Sequence, residues 1–179
     1  MTLRTDFDRL KQAHLRGAFS YEQRIELLSR LDAAVRRNRE AVVEACSQDF
    51  GRRARIETLA ADIMVTLDEI KHARKNLRRW MRPQRRAINL TFKPARGEIR
   101  YTPLGVVGVV APWNYPFQLA IIPLANAIAA GNRVMIKPSE FTPTVSQVMA
   151  EIVKDAWDEK EVAIFPGGPE VGAAFSALP

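Results

Sequence analysis

The run Val106-Val107-Gly108-Val109-Val110-Ala111 constrains this chain more than any other stretch. It contains no polar side chain, so if it is extended it is apolar on both faces. That pattern predicts a strand of a parallel sheet covered by helices on both sides. Pro112 ends the ladder, and Trp113-Asn114-Tyr115 follows as a turn between two prolines. The layout recurs at Arg133-Val134-Met135-Ile136-Lys137, which runs into Pro138-Ser139-Glu140. Ligands of open parallel sheets bind at the carboxyl ends of the strands. Both segments carry their polar residues at that end, which makes it a candidate site.

The chain on either side is organised around this core. Phe7, Leu10 and His14 share one helical face, closed by Gly17. Ser20 with Gln23 has the spacing of a capping box and opens a long helix, with Ile25, Leu28, Leu31 and Val35 inside, that ends by Gly51. A further helix is predicted from Arg55 to Met81 on the stripe Leu59, Ile63, Leu67, Ile70 and Leu77, and Pro83 closes it. Residues 84–104 break the helical pattern. Asn89 to Thr102 is expected to form an extended, hairpin-like excursion, with Ile99 and Tyr101 alternating against polar neighbours. From 105 onward strand and helix alternate, with Thr142 placed to cap a helix that starts at Pro143. Glu161 to Phe165 is the third strand. The expected fold is therefore α/β: a helical preface (1–83), an extended segment (84–104) and a partial dinucleotide-binding region (105–179). That last region is a truncated Rossmann-like parallel sheet of three βα units.

Charge and cysteine content narrow the function classes. The net charge of +7 comes from 27 Lys and Arg against 20 Asp and Glu. Arg74, Lys75, Arg78, Arg79, Arg82, Arg85 and Arg86 lie together without an acid, and setting those seven aside leaves the rest neutral. Because Ile70, Leu77, Trp80 and Met81 share that segment at helical spacing, a solvated helix face explains the cluster better than nucleic-acid binding. The apolar runs are too short or too interrupted to span a membrane. Thr2 to Asp8 lacks the layout of a signal peptide. A single cysteine, Cys46, excludes an internal disulfide and suits a reducing compartment, so a cytoplasmic protein is expected. Cys46 lies among apolar helical residues and reads as a buried structural thiol. His14 and His72 are too far apart in sequence to begin a metal set, so no metal site is expected.

Each chemical candidate has a plainer rival. Asn114 can donate its amide to an oxygen that becomes negative during a reaction, or it can simply form a turn. Lys137 and Glu140 can clasp the hydroxyls of a nucleotide ribose, or pair at the surface. Gly167, Gly168 and Gly172 can let a phosphate approach a helix N-terminus, or make a tight turn. The Gly-x-Gly-x-x-Gly dinucleotide fingerprint is absent.

Taken together, Pro112-Trp113-Asn114-Tyr115-Pro116, Ala129-Ala130-Gly131-Asn132, Lys137-Pro138-Ser139-Glu140 and Gly167-Gly168-Pro169-Glu170-Val171-Gly172 resemble the aldehyde dehydrogenase superfamily in order and spacing. Lys75 to Pro83 is similar to a basic segment of its class 3-like branch, and the overall texture leans toward the coniferyl aldehyde dehydrogenase group. The resemblance covers essentially the whole chain. It implies NAD(P)-dependent oxidation of an aldehyde, aromatic and coniferyl aldehyde-like, to the carboxylic acid. By resemblance Asn114 holds the oxyanion, and Pro112 and Trp113 line the nicotinamide side of the cleft, with Val110 and Ala111 beneath. Lys137 and Glu140 bind the adenosine ribose, and Gly168 and Gly172 flank the adenine and pyrophosphate. Lys137 would favour a 2′-phosphate and Glu140 would repel one, so NAD is expected, with NADP open. The extended segment corresponds to an oligomerisation flap, so a homodimer through the flap or the sheet edge is expected. The family's nucleophilic cysteine and general-base glutamate lie further downstream, and Cys46 matches neither. The resemblance thus implies an amino-terminal portion, inactive alone. The alternative is a non-catalytic module that binds nucleotide or pairs with a partner chain.

Overall fold

A computed structural model describes residues 2–179. Three parallel strands, β3 (Val106–Val110), β4 (Arg133–Lys137) and β5 (Val162–Ile164), form the sheet in that spatial order, after a small antiparallel pair, β1 (Gln84–Arg86) and β2 (Gly97–Ile99). Val106 is in register with Arg133 and Val110 with Lys137, while Val134 pairs with Val162. All five residues of β4 are buried. Val134 and Ile136 point into the larger core and Met135 into a smaller one on the opposite face, the alternation that a two-face-covered strand requires.

Helices fill both layers. α1 (Leu3–Leu15) packs Phe7 and Leu10 onto the smaller core, together with Phe175 of α8 (Pro169–Ser176). The larger core holds α2 (Tyr21–Arg37) and α3 (Arg39–Asp49). A short α4 (Arg55–Glu57) leads through a π-helical stretch, Thr58–Met64, into α5 (Val65–Trp80). Between β3 and β4 lies α6 (Gln118–Ala129), and between β4 and β5 lies α7 (Pro143–Ala156). α6 sits between the sheet and α5, and buries Ile121, Leu124 and Ile128 along with its alanines. A helix this apolar is stable only when most of its surface is enclosed, and only Pro123 and Asn126 of α6 are exposed.

The Ala-Ala-Gly-Asn stretch has a mechanical explanation. Gly131 ends α6 at φ +92°, in the left-handed region that favours glycine. The Arg24 guanidinium lies against it, donating Nε–H to Phe19 O at 2.9 Å and Nη1–H to Ala129 O at 3.1 Å. A Cβ at 131 would press into that guanidinium. Asn132 ties the ends of neighbouring elements together: its Oδ1 accepts Gly105 N–H at 3.0 Å and its Nδ2 donates to Ala127 O at 3.2 Å.

Four expectations need correction. The helix expected from Ser20 to Gly51 is two helices. It breaks at Asn38, whose Nδ2 bonds back to Ala34 O at 2.9 Å, and the break turns α3 onto α7. The helix expected from Arg55 to Met81 contains the π-helical stretch, which apolar spacing does not reveal. In the hairpin, β2 stops at Ile99 and pairs with Gln84 to Arg86, part of the basic segment, and Tyr101 beyond it is 74% exposed. Thr142 does not cap α7. Its φ of −128° and ψ of 66° are accompanied by no side-chain cap bond, because Asp49, at the end of α3, does the capping. The Asp49 carboxylate accepts Thr144 N–H at 3.1 Å and Val145 N–H at 2.9 Å. Asp49→Ala is expected to lower the unfolding free energy by about 1–2 kcal/mol, read as a lower urea midpoint. Thr142→Ala, which removes no cap, should cost clearly less.

Candidate functional site

The loops at the carboxyl ends of β3, β4 and β5 converge on one side of the sheet. Strand register sets the first relation: Val110 is opposite Lys137, and Ala111 N–H donates to Lys137 O at 3.0 Å. Val110 is 60% exposed, whereas Ala111 is buried. Chain direction then carries Pro112, Trp113 and Asn114 out onto an exposed ledge before α6 begins. Among the described residues, the Asn114 side-chain amide makes no hydrogen bond, so both its donors are free.

Lys137 behaves differently from a surface cation. Its side chain is 5% exposed, and its Nζ sits 2.5 Å from Oε2 of Glu140, which is 32% exposed. Lys137 holds the Glu140 carboxyl below the usual carboxylate range, with the backbone N–H of Glu140 adding to the effect. Gly172 on α8 faces the lysine stem: a Cβ there would lie 3.7 Å from Lys137 Cε, within ordinary contact. At the start of the same helix, Gly168 N–H donates to Glu170 Oε1 at 3.2 Å. Glu140, Gly168, Ser139 and Pro166 line one cleft of about 480 Å³. The structure thus brings Lys137, Glu140, Gly168 and Gly172 together, and register brings Val110 and Ala111 beside them. Pro112, Trp113 and Asn114 stand on the separate ledge after β3.

A polar cluster beneath that ledge escapes the sequence reading. Asp62, in the π-helical stretch, is fully buried and accepts Gln118 N–H at 3.0 Å, with Phe117 N–H also directed at it. Its carboxylate therefore caps α6 as Asp49 caps α7. Burial pushes its carboxyl above the usual range, and the two amides and Arg53 pull it back. Arg53 lies 3.4 Å from Asp62 and 3.2 Å from Glu57, between the rings of Phe50 (5.0 Å) and Tyr115 (4.8 Å). It follows Gly51 (φ +61°) and Arg52, a non-glycine residue at φ +90°, a conformation that costs about 1–3 kcal/mol. One sequence signal was available: Asp62 lies three residues after Leu59 on the apolar stripe, where an acid is out of place.

Cys46 is fully buried, and its thiol is pushed up to about 11 by burial, the charge of Asp62 adding to the shift. Among the described residues no cluster of three or more His, Cys, Asp and Glu is placed to hold a metal, and no helix is long and apolar enough to cross a membrane. The folded thiol holds its proton more tightly than the unfolded one, whose value is 9.0. This contribution to stability is therefore complete below about pH 9 and is lost as the pH climbs to about 11. Urea midpoints of the wild type should fall more steeply over that interval than those of Cys46→Ala. A thiol reagent should label Cys46 only when the chain is unfolded.

Comparison with known proteins places this geometry. Residues 11–179 match the aldehyde dehydrogenase family. A probable coniferyl aldehyde dehydrogenase of Pseudomonas aeruginosa is 46% identical over 157 residues, 88% of this chain and 33% of the relative. A coniferyl aldehyde dehydrogenase of a Pseudomonas species is 44% identical over 173 residues, 96% of this chain and 36% of the relative. The substrate-bound Staphylococcus aureus AldH structure superposes with a TM-score of 0.95 at 32% identity, covering 100% of this chain and 39% of that one. An NAD+ complex of a Bacillus cereus aldehyde dehydrogenase superposes at 0.83 with 25% identity, covering 97% and 35%. The chain spans about a third of the length of the curated relatives it matches.

Proposed function

The chain belongs to the aldehyde dehydrogenase family, and from that premise we propose that it is the amino-terminal part of an enzyme that oxidises an aldehyde to its carboxylic acid with a nicotinamide dinucleotide. The observation that carries this reading is that Glu140 and Gly168 line one cleft, with Lys137 paired to Glu140 and Gly172 against the lysine stem, on the strand-end side that also presents Asn114. Coniferyl aldehyde, or another aromatic aldehyde, is the proposed substrate, because the relatives named above carry that activity in their names.

The residues present fit the dinucleotide. The buried Lys137 ammonium and the Glu140 carboxylate offer a donor and an acceptor for two ribose hydroxyls, and Gly168 adds no side chain of its own to the cleft while Gly172 leaves room for the lysine stem. Glu140 is ionised at neutral pH and would repel a 2′-phosphate, which favours NAD over NADP. When bound, the nicotinamide supplies the hydride acceptor. Val110, Ala111, Pro112 and Trp113 would form the wall against its ring. Asn114 would donate its free amide N–H to the oxygen that turns negative as a nucleophile adds to the aldehyde carbon.

Covalent catalysis of this kind needs a thiolate, and Cys46 is too buried and too weakly acidic to serve. We therefore assign the nucleophile and the general base to residues outside these 179 and expect the chain alone to be inactive. Residues 84–104 are proposed as the flap through which two copies pair, and the single unpaired thiol supports a cytoplasmic setting.

The chain alone should bind NAD+ in a calorimetric titration, bind NADP+ more weakly, and leave coniferyl aldehyde unoxidised. Turnover by the chain alone would overturn the assignment of the nucleophile. Indifference of NAD+ binding to Glu140→Ala would remove that residue from the ribose site. In the aldehyde-oxidising protein that carries these residues, Asn114→Ala should lower kcat by about 10²–10³-fold.

A further inference from the structure

The loop that presents Asn114 has little bonding of its own. Its ends are tied by Ala111 N–H to Lys137 O at 3.0 Å and by Leu119 N–H to Tyr115 O at 3.0 Å. Between those points its contacts come from outside. Arg53 Nη1 donates to Asn114 O at 3.3 Å, and the same guanidinium stacks on the Tyr115 ring. The Arg53 side chain is only 5% exposed, and its guanidinium also lies over the Phe50 ring at 5.0 Å. Behind it, the fully buried Asp62 forms an ion pair with Nη2 at 3.4 Å, without a hydrogen bond between them, and its other oxygen accepts Gln118 N–H, the first amide of α6.

We propose that Arg53, ion-paired with Asp62, is the positioning residue for Asn114. It fixes the peptide plane after Asn114 and thereby the direction in which the amide side chain leaves the backbone. A planar guanidinium held between two rings has little freedom to rotate. Its Nη1 direction is therefore set before any substrate arrives, as preorganised donors require. Asp62 links the same arginine to the first turn of α6, so both sides of the loop rest on one ion pair. The backbone points the same way. A left-handed turn at Gly51 and the non-glycine Arg52 delivers Arg53 to the loop, and a π-helical stretch delivers Asp62. Costly local geometry on both partners is expected where a functional contact depends on it. A pair that merely stabilised the core would give no reason for the bond to Asn114 O.

The catalytic meaning of this proposal rests on the oxyanion reading of Asn114, but the positioning can be read without turnover. Hydrogen exchange would be followed on the purified chain for the wild type, Arg53→Lys and Asp62→Asn. Arg53→Lys keeps the charge and loses the planar stack. Exchange at Gln118 and Leu119 should rise by about tenfold or more in both variants, as loss of a charge-assisted bond implies, while the α6 interior at Ala125 and Ile128 stays unchanged. Unaltered exchange at Gln118 and Leu119 in folded Arg53→Lys would overturn the proposal. So would an equal rise throughout α6, the signature of a purely structural role. If Asp62→Asn does not fold, Arg53→Lys alone decides. In the aldehyde-oxidising protein, Arg53→Lys should lower kcat roughly tenfold to a hundredfold with KM unchanged, and should cost nothing more once Asn114 is alanine. A further fall in that background would show that Arg53 acts elsewhere and would overturn the proposal. Full activity in Asn114→Ala would sink the oxyanion reading alone, leaving the exchange result to stand for the loop.

Discussion

Burial of β4 on both faces is the constraint on which the other elements depend. A five-residue strand with no exposed position needs a helical layer above and below, and the chain supplies them from both sides in sequence. α6 and α7, with α2 behind them, cover the face of Val134 and Ile136, while α1 and α8 cover that of Met135. Lys137 is the last residue of this strand, so its stem is enclosed and its charged end meets Glu140, which lines the cleft. An ammonium so placed needs a partner close by, and Glu140, at the start of the following turn, provides it. The Lys137–Glu140 ion pair is thus a consequence of how the sheet is buried.

A second physical theme is capping from a distance. α6 and α7 both start at the carboxyl ends of strands, where unpaired amides and the helix dipole attract anions. In each case a carboxylate from the helical preface fills the position: Asp62 for α6 and Asp49 for α7. Neither helix N-terminus is left open for a phosphate. The preface therefore does more than pack against the sheet, because it determines which strand ends stay available and holds the Asn114 loop in place.

Much of the architecture could be read from the chain because the signals were local. An apolar run ended by proline, Pro143 at a helix start and Gly131 at a helix end all depend on backbone sterics that neighbouring residues reveal. The Lys-Pro-Ser-Glu and Gly-Gly-Pro-Glu-Val-Gly segments were legible for the same reason, and they meet at one cleft. The misses have a shared cause. Thr142 looked like a cap because its neighbours allow it, but Asp49 reaches the amides from another helix. The strand partner of Gly97 to Ile99 lay among arginines that read as a helix face. A π-helical stretch shifts the phase of an apolar stripe without changing its composition.

By itself the sequence determined the alternation of strand and helix after residue 105, the parallel sheet and the family, because each depends on short-range pattern and residue type. Tertiary structure alone decided which of those residues share a cleft, that Lys137 is enclosed and Cys46 silenced, and that Arg53 and Asp62 support Asn114. Arg53 and Asn114 are far apart along the chain, and only the folded backbone brings a guanidinium to that carbonyl. No local pattern encodes such a contact, since its free energy comes from long-range packing and from the desolvation that packing imposes.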